Sequence, residues 1–238
     1  MDTAKKYIDS DDAFFLHRIN CLDLFLKCGI TLFVDDLPNF HDMTLIQYAI
    51  AKRKPKTLKD MLEASYYQCQ VPFKNILTPE TSNTKGNLLN LAIEFGSKND
   101  KYGKNYEEVN IECLKVIVEF CQKLQNKENF NIDMENINGE TPLIVAIKHD
   151  NKEACQYLIS NGADILHDCK NYLKNPLWYL LVNTKSLSLF DLIDNKILDD
   201  ISYTKAHNFC REIYENKEEL NEINNEFTTK FFDVKFKG

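Results

Sequence analysis

The sequence predicts an all-α solenoid: a row of about four to five helix–turn–helix units, closed by atypical helices at both ends. Three observations carry this. Residues 136–165, NINGETPLIVAIKHDNKEACQYLISNGADI, write two short amphipathic helices between turn signals. The same opening then recurs: NPLWYLLVNT aligns with TPLIVAIKHD, Pro176 on Pro142 and Leu177 on Leu143, at 176 − 142 = 34 residues. A helix pair of this size cannot bury its own apolar face, so it requires neighbours of its own kind.

Within the central unit each residue type has a local reason. Gly139 suits a tight turn that needs a positive φ. Thr141 caps the next helix, and Pro142 fits its first position, where no N–H is required. Leu143, Ala146 and Ile147 share one helical face, and the small Ala146 lets two helices approach closely. Ala154, Tyr157 and Leu158 stripe the second helix, and Gly162 ends it in the left-handed conformation. Gly139, Thr141, Pro142, Leu143, Ala146, Leu158, Ile159, Gly162, Ala163 and Asp164 stand where the ankyrin repeat places them, and the stretch resembles one. The 34-residue spacing is close to that family's period of about 33.

The other units depart from this pattern by degrees. Residues 1–38 read as an N-terminal cap and a degenerate first repeat. Residues 3–10 form a short helix there, with Lys5, Lys6 and Asp9 for a polar outer face. Residues 11–29 form an outer helix whose Ile19, Leu22, Leu24, Phe25 and Leu26 run up to Gly29. Repeats are expected over 39–195. The first keeps Thr44, Ile46 and Ala49, then Leu58, Met61 and Leu62, with Asp42 for the turn glycine and Leu45 for the proline. Residues 68–82, holding Pro72 and Pro79, read as a longer connection. GNLLNLAIEFG is an inner helix with Leu89, Ala92 and Gly96 in register, but residues 97–109 follow it with almost no apolar pattern and read as an inserted loop. The outer helix resumes at NIECLKVIVEFCQKL. In the next unit Leu180 replaces the small Ala, and Leu187–Ile193 is the outer helix. Residues 196–238 read as a C-terminal helical cap. Their stripe of Phe209, Ile213, Leu220, Ile223, Phe227 and Phe231 is also a candidate partner-binding or dimerisation seam.

Composition narrows the function. The chain is 44% hydrophobic and 27% charged, in the range of folded soluble domains. A formal net charge of −7 disfavours a general nucleic-acid surface, which works through Lys and Arg, although a local basic patch stays open. No apolar run reaches the roughly 20 residues of a membrane helix. MDTAKKYIDSDD has no signal-peptide core, so a cytoplasmic location is expected. Eight cysteines occur without a CxxC, and Cys21, Cys113 and Cys155 fall at apolar helical positions, which fits a reducing compartment. Richness in Lys, Asn and Ile suits an AT-rich genome and, with it, an effector delivered by an intracellular microbe.

Sites for chemistry are thin. The seven glycines are scattered, and no phosphate-loop pattern occurs. His167 and Cys169 flank Asp168, too few ligands for zinc. Cys169 with His167 or His149, and Cys210 with His207, are nucleophile–base combinations without a family signature. Adjacent carboxylates such as Asp199 and Asp200 point in different directions on a helix and read as solvated faces. No catalytic residue, metal or cofactor is expected.

The resemblance instead implies a concave face, where turn tips and the ends of inner helices contact a partner protein. Carried over, it assigns Phe40, His41, Met43 and Lys52; Thr84, Glu94 and Phe95; Ile137, Asn138, Glu140, Lys148 and His149; and Asn171, Tyr172, Lys174 and Asn183. Phe40, Met43, Phe95, Ile137 and Tyr172 would make an apolar strip, or else turn inward against neighbouring turns. The expected function is non-catalytic protein–protein recognition by a monomer, with no nucleic acid and no membrane insertion. The alternatives are an enzyme or enzyme component with a site near the C-terminal helices, using His207 or Cys210, and a homodimer through 196–238.

Overall fold

Four polar side chains set where the inner helices begin. The computed structural model describes residues 44–68, 70–78, 86–98, 108–124, 128–169, 175–182 and 202–215. In it Thr44, Asn87, Thr141 and Asn175 accept a hydrogen bond from the backbone N–H three residues on, at 3.2, 2.9, 3.3 and 2.9 Å. Each bond satisfies a donor that a helix start leaves orphaned. At Thr44 the Gln47 side chain also accepts from the Thr44 N–H at 2.7 Å, which closes a capping box. In chain order the helices are α1 (Leu45–Ala51), α2 (Pro55–Glu63), α3 (Phe73–Leu77), α4 (Leu88–Gly96), α5 (Glu112–Leu124), α6 (Pro142–Lys148), α7 (Lys152–Ser160), α8 (Pro176–Val182) and α9 (Tyr203–Glu215).

The helices pair and stack. α1 packs on α2, α4 on α5 and α6 on α7, while α1, α4, α6 and α8 touch in succession as an inner row and α2 touches α5 on the outside. This is the all-α ankyrin-like solenoid expected from the sequence, and no strand occurs among the described residues. Leu58, Leu89, Ile93, Leu114, Leu143, Ala146, Leu158 and Leu177 join one continuous core through all the described units. Each fully buried Leu or Ile contributes roughly 2 kcal/mol, but it does so only because the adjacent pair covers it.

The repeat is also written in the helix ends. After α1, Arg53 takes φ 52°, its N–H donates to the Ile50 carbonyl and the Lys54 N–H to that of Ala49, both at 2.9 Å. After α6, Asp150 takes φ 50°, with the same pair of bonds to Ile147 and Ala146. After α7, Gly162 at φ 93° repeats them onto Ile159 and Leu158. All three are Schellman closures, and only the last has the glycine that the left-handed position favours.

Insertions stretch the period. The N-caps stand 87 − 44 = 43, 141 − 87 = 54 and 175 − 141 = 34 residues apart. In the first interval a π-helical turn, Ala64–Gln68, leads into the segment expected as a longer connection over 68–82, and that segment holds α3, whose Phe73, Ile76 and Leu77 are buried. The apolar spacing i, i+3, i+4 explains that helix, despite Pro72 directly before it. In the second interval the base of the 97–109 segment is pinned shut. The Asn110 N–H donates to the Gly96 carbonyl at 2.8 Å, and a Cβ on Gly96 would sit 2.4 Å from the Asn110 oxygen. Residues 3–10, 11–29 and 187–193 lie outside the described residues, as does most of the tail.

Buried polar groups fasten one unit to the next. The Asn87 amide donates to the Met134 carbonyl at 2.7 Å, Asn90 to that of Glu140 at 3.3 Å, and Asn151 to the Ser97 hydroxyl at 3.2 Å. The Asp133 carboxylate, almost fully buried, accepts from the Asp164 N–H at 3.1 and 3.2 Å. The Arg53 guanidinium donates to the carbonyls of Phe95, Ser97 and Glu108 at 2.8, 2.8 and 3.3 Å. In the tail, Ala206 and Phe209 of α9 join the core, and Lys205 pairs with Asp164.

Candidate interaction face

The turn before α6 is built by one side chain. Asn136 Oδ1 accepts from the N–H groups of Asn138 and Glu140 at 2.9 and 3.0 Å, and its amide donates to Glu140 Oε2 at 2.9 Å. The Gly139 N–H closes the turn on the Asn136 carbonyl at 2.9 Å, with Gly139 at φ 79°. Asn87 and Asn90 hold the segment from behind. The outcome is a fingertip on which Asn138 is exposed and Ile137 remains 59% exposed. A β-branched apolar side chain in that position contributes nothing to the core.

Along the inner helices a second cluster forms. Lys148, at the end of α6, makes an ion pair with Glu140, and its Nζ lies 4.9 Å from the centre of the Tyr179 ring on α8. Burial would raise the Glu140 carboxyl, but its bonds from Lys148 and Asn136 outweigh that and hold it below the usual carboxylate range. His149 caps α6, and burial pushes its imidazole below the ordinary value, against the opposing pull of Glu94 and Glu140. On α1, Lys52 Nζ lies 5.4 Å from the Tyr48 ring centre. Lysines resting on tyrosine faces gain a modest cation–π attraction and stay partly open to a partner.

The structure thus brings together Glu94 of α4, Glu140 of the turn, and Lys148 and His149 at the end of α6, with Ile137 and Asn138 at the tip; Lys52 ends α1 of the first described unit. Phe95 departs from the apolar strip. It is 1% exposed and sits in the core, where it continues the Leu88 and Leu91 side of α4. Phe40, His41, Met43, Thr84, Asn171, Tyr172, Lys174 and Asn183 lie outside the described residues. Tyr179 and Arg53 were not singled out from the sequence. Tyr179 is signalled only by its place three residues after Pro176, and Arg53 by nothing short of the fold.

Among the described residues the thiols do not resemble nucleophiles, and the Cys210 side chain lies outside that set. Burial pushes Cys113, Cys121 and Cys155 up to about 12. Burial, with Glu135, Asp133 and Asp168 nearby, pushes Cys169 up to about 11, the reverse of activation. Cys169 Sγ faces the His167 carbonyl at 3.7 Å, while the His167 ring nitrogen meets Glu135 at 3.2 Å. Between the last described turn and α9 lies an open cleft of about 300 Å³, lined by Leu166, Asp168, Asn175, Lys205, Asn208, Phe209 and Arg211. His207 is exposed and does not line it. Among the described residues no group of His, Cys, Asp and Glu has a metal-holding arrangement, and no helix is long and apolar enough to cross a membrane.

Comparison with known proteins agrees with this architecture. Residues 107–197 match the family model for ankyrin repeats, in 3 copies. Among solved structures the chain is similar to the ankyrin repeat domain of Bcl-3, described as a unique member of the IkappaB protein family. That likeness covers 82% of this chain and 70% of the other at 19% identity, with a TM-score of 0.55, and it shows the fold. No curated protein matches the chain.

Proposed function

The chain is an ankyrin-repeat protein, and from that premise we propose that it is a non-catalytic module that binds a partner protein through the fingertips and inner helices of its array. Ankyrin repeats generally bind other proteins. The observation that carries the reading is Ile137, held 59% exposed on a turn that Asn136, Gly139 and two asparagines of the preceding unit make rigid. An apolar anchor on a preorganised turn loses little entropy on binding. Glu140, Lys148 and His149 beside it supply the charged rim that selects a partner. The Lys-, Asn- and Ile-rich composition favours an effector of an intracellular microbe acting on a host protein.

Capture from cell lysate tests the reading. The intact chain is expected to retain a specific protein that a Phe40→Ala, Ile137→Ala, Tyr172→Ala variant of equal melting temperature does not. Equal retention by both chains would place the contact elsewhere.

A further inference from the structure

We propose that the turn joining α1 to α2 is an anion-recognising surface, and that it takes an acidic segment of the partner protein. This deepens the reading above and rests on it. Residues 52–59 read KRKPKTLK: five cations and no carboxylate, in a chain of formal net charge −7. The fold displays them rather than dispersing them. Lys54, Lys56 and Lys59 are exposed, and Lys52 and Arg53 are half-buried. Lys56 and Lys59 stand three residues apart on α2 and so share a face.

Arg53 brings in a sixth cation. Its guanidinium holds the Ser97 carbonyl at 2.8 Å, so the exposed Lys98 borders the same turn. Glu94 on α4, Asp60 on α2 and Glu108, whose carbonyl Arg53 also holds, bring carboxylates to the margin. With Glu112, which neighbours Cys113 as Arg53 does, counted among them, cations still outnumber carboxylates there, where the whole molecule runs the other way. The excess leaves net positive charge on this turn, which a docked anion offsets.

The size and setting of the patch point to a protein segment. A nucleic-acid duplex or a bilayer spreads its charge over many Debye lengths of about 8 Å, and so meets the acidic remainder of the molecule as well. A short segment bearing a few carboxylates meets the turn alone. Lys52 is both the C-cap of α1 and part of the interaction face, so the two surfaces are continuous.

The test uses the full chain and a short fluorescent peptide of alternating Glu and Ser, with a Gln-for-Glu peptide as control. Fluorescence anisotropy is expected to show binding of the Glu peptide that weakens with salt, no binding of the Gln peptide, and a loss of about tenfold in affinity in a Lys54→Glu, Lys56→Glu variant. Should that variant not fold, Lys56→Gln with Lys59→Gln is expected to act in the same direction at an unchanged melting temperature. Unchanged Glu-peptide affinity in the folded variants overturns the proposal. So does tighter binding of phosphatidylserine vesicles or single-stranded DNA than of the peptide. A partner captured by the charge-altered chain but lost by the fingertip variant overturns this surface and leaves the interaction face standing. The converse result overturns the fingertips and leaves this surface.

Discussion

Arg53 and Asp150 occupy the same place in two units, each at a positive φ that an L-residue adopts at a cost of about 1 kcal/mol. They should nevertheless respond oppositely to glycine. Asp150→Gly relieves the backbone and is expected to raise stability by about 1 kcal/mol. Arg53→Gly relieves it equally but removes three bonds to carbonyls of the next unit, for a net loss of roughly 2 kcal/mol. Urea denaturation of the two variants checks this: a gain in both would mean that the Arg53 bonds contribute nothing, and a loss in both that the positive φ at Asp150 carries no cost. His149 gives a second residue-scale test. Burial lowers its folded pKa from 6.5, so the unfolded chain binds the proton more readily. Its stabilising contribution is complete above about 6.5 and is lost as pH falls through the lower folded value. Denaturation midpoints should therefore decline less below pH 6.5 in His149→Gln than in the parent chain. Gly139, Thr141 and Pro142 could be read from the sequence because turn and cap chemistry is local. Phe95 was also readable in principle: it lies four and seven residues after Leu91 and Leu88, on a helix with almost no polar face. The turn-tip pattern of the family conceals that spacing.

At the scale of elements, apolar periodicity carried most of what the sequence disclosed. α1, α2, α4, α5, α6, α7 and α8 lie where that spacing predicts helices, even where Asp42 or Leu45 breaks the family pattern. The π-helical turn and α3 were not foreseen, because a five-residue helix between prolines leaves too short a period to stand out. What holds them became visible only in three dimensions. Tyr66 packs edge-on against Phe73 and Phe120 at 6.5 and 6.2 Å and donates its hydroxyl to Glu128 at 2.8 Å. The 97–109 segment shows in the sequence as a gap in the apolar pattern, whereas the closure at its base, Asn110 on Gly96, does not. Gly96→Ala would press a methyl against the Asn110 carbonyl and is expected to cost roughly 1–3 kcal/mol. An unchanged melting temperature in that variant would mean that the base of the segment yields freely.

For the whole molecule, the inference from one unit to a row followed from burial alone, since a single pair leaves its apolar face in water. The polar fastening between units did not follow. Asn87, Asn90, Asp133 and Asn151 look like ordinary turn and cap residues until their partners in the neighbouring unit are known. The candidate face was only partly legible for the same reason. Sequence position placed Ile137 and Lys148 on it, and the cation–π contact to Tyr179 depends on the stacking of two units. The most direct measurement is photo-crosslinking in lysate, with the reactive side chain introduced at Ile137 on the fingertip or at Glu119, exposed on the outer helix α5. The account predicts a discrete protein adduct from position 137 and none from 119. Adducts from 119 alone, or the same adducts from both, would contradict it.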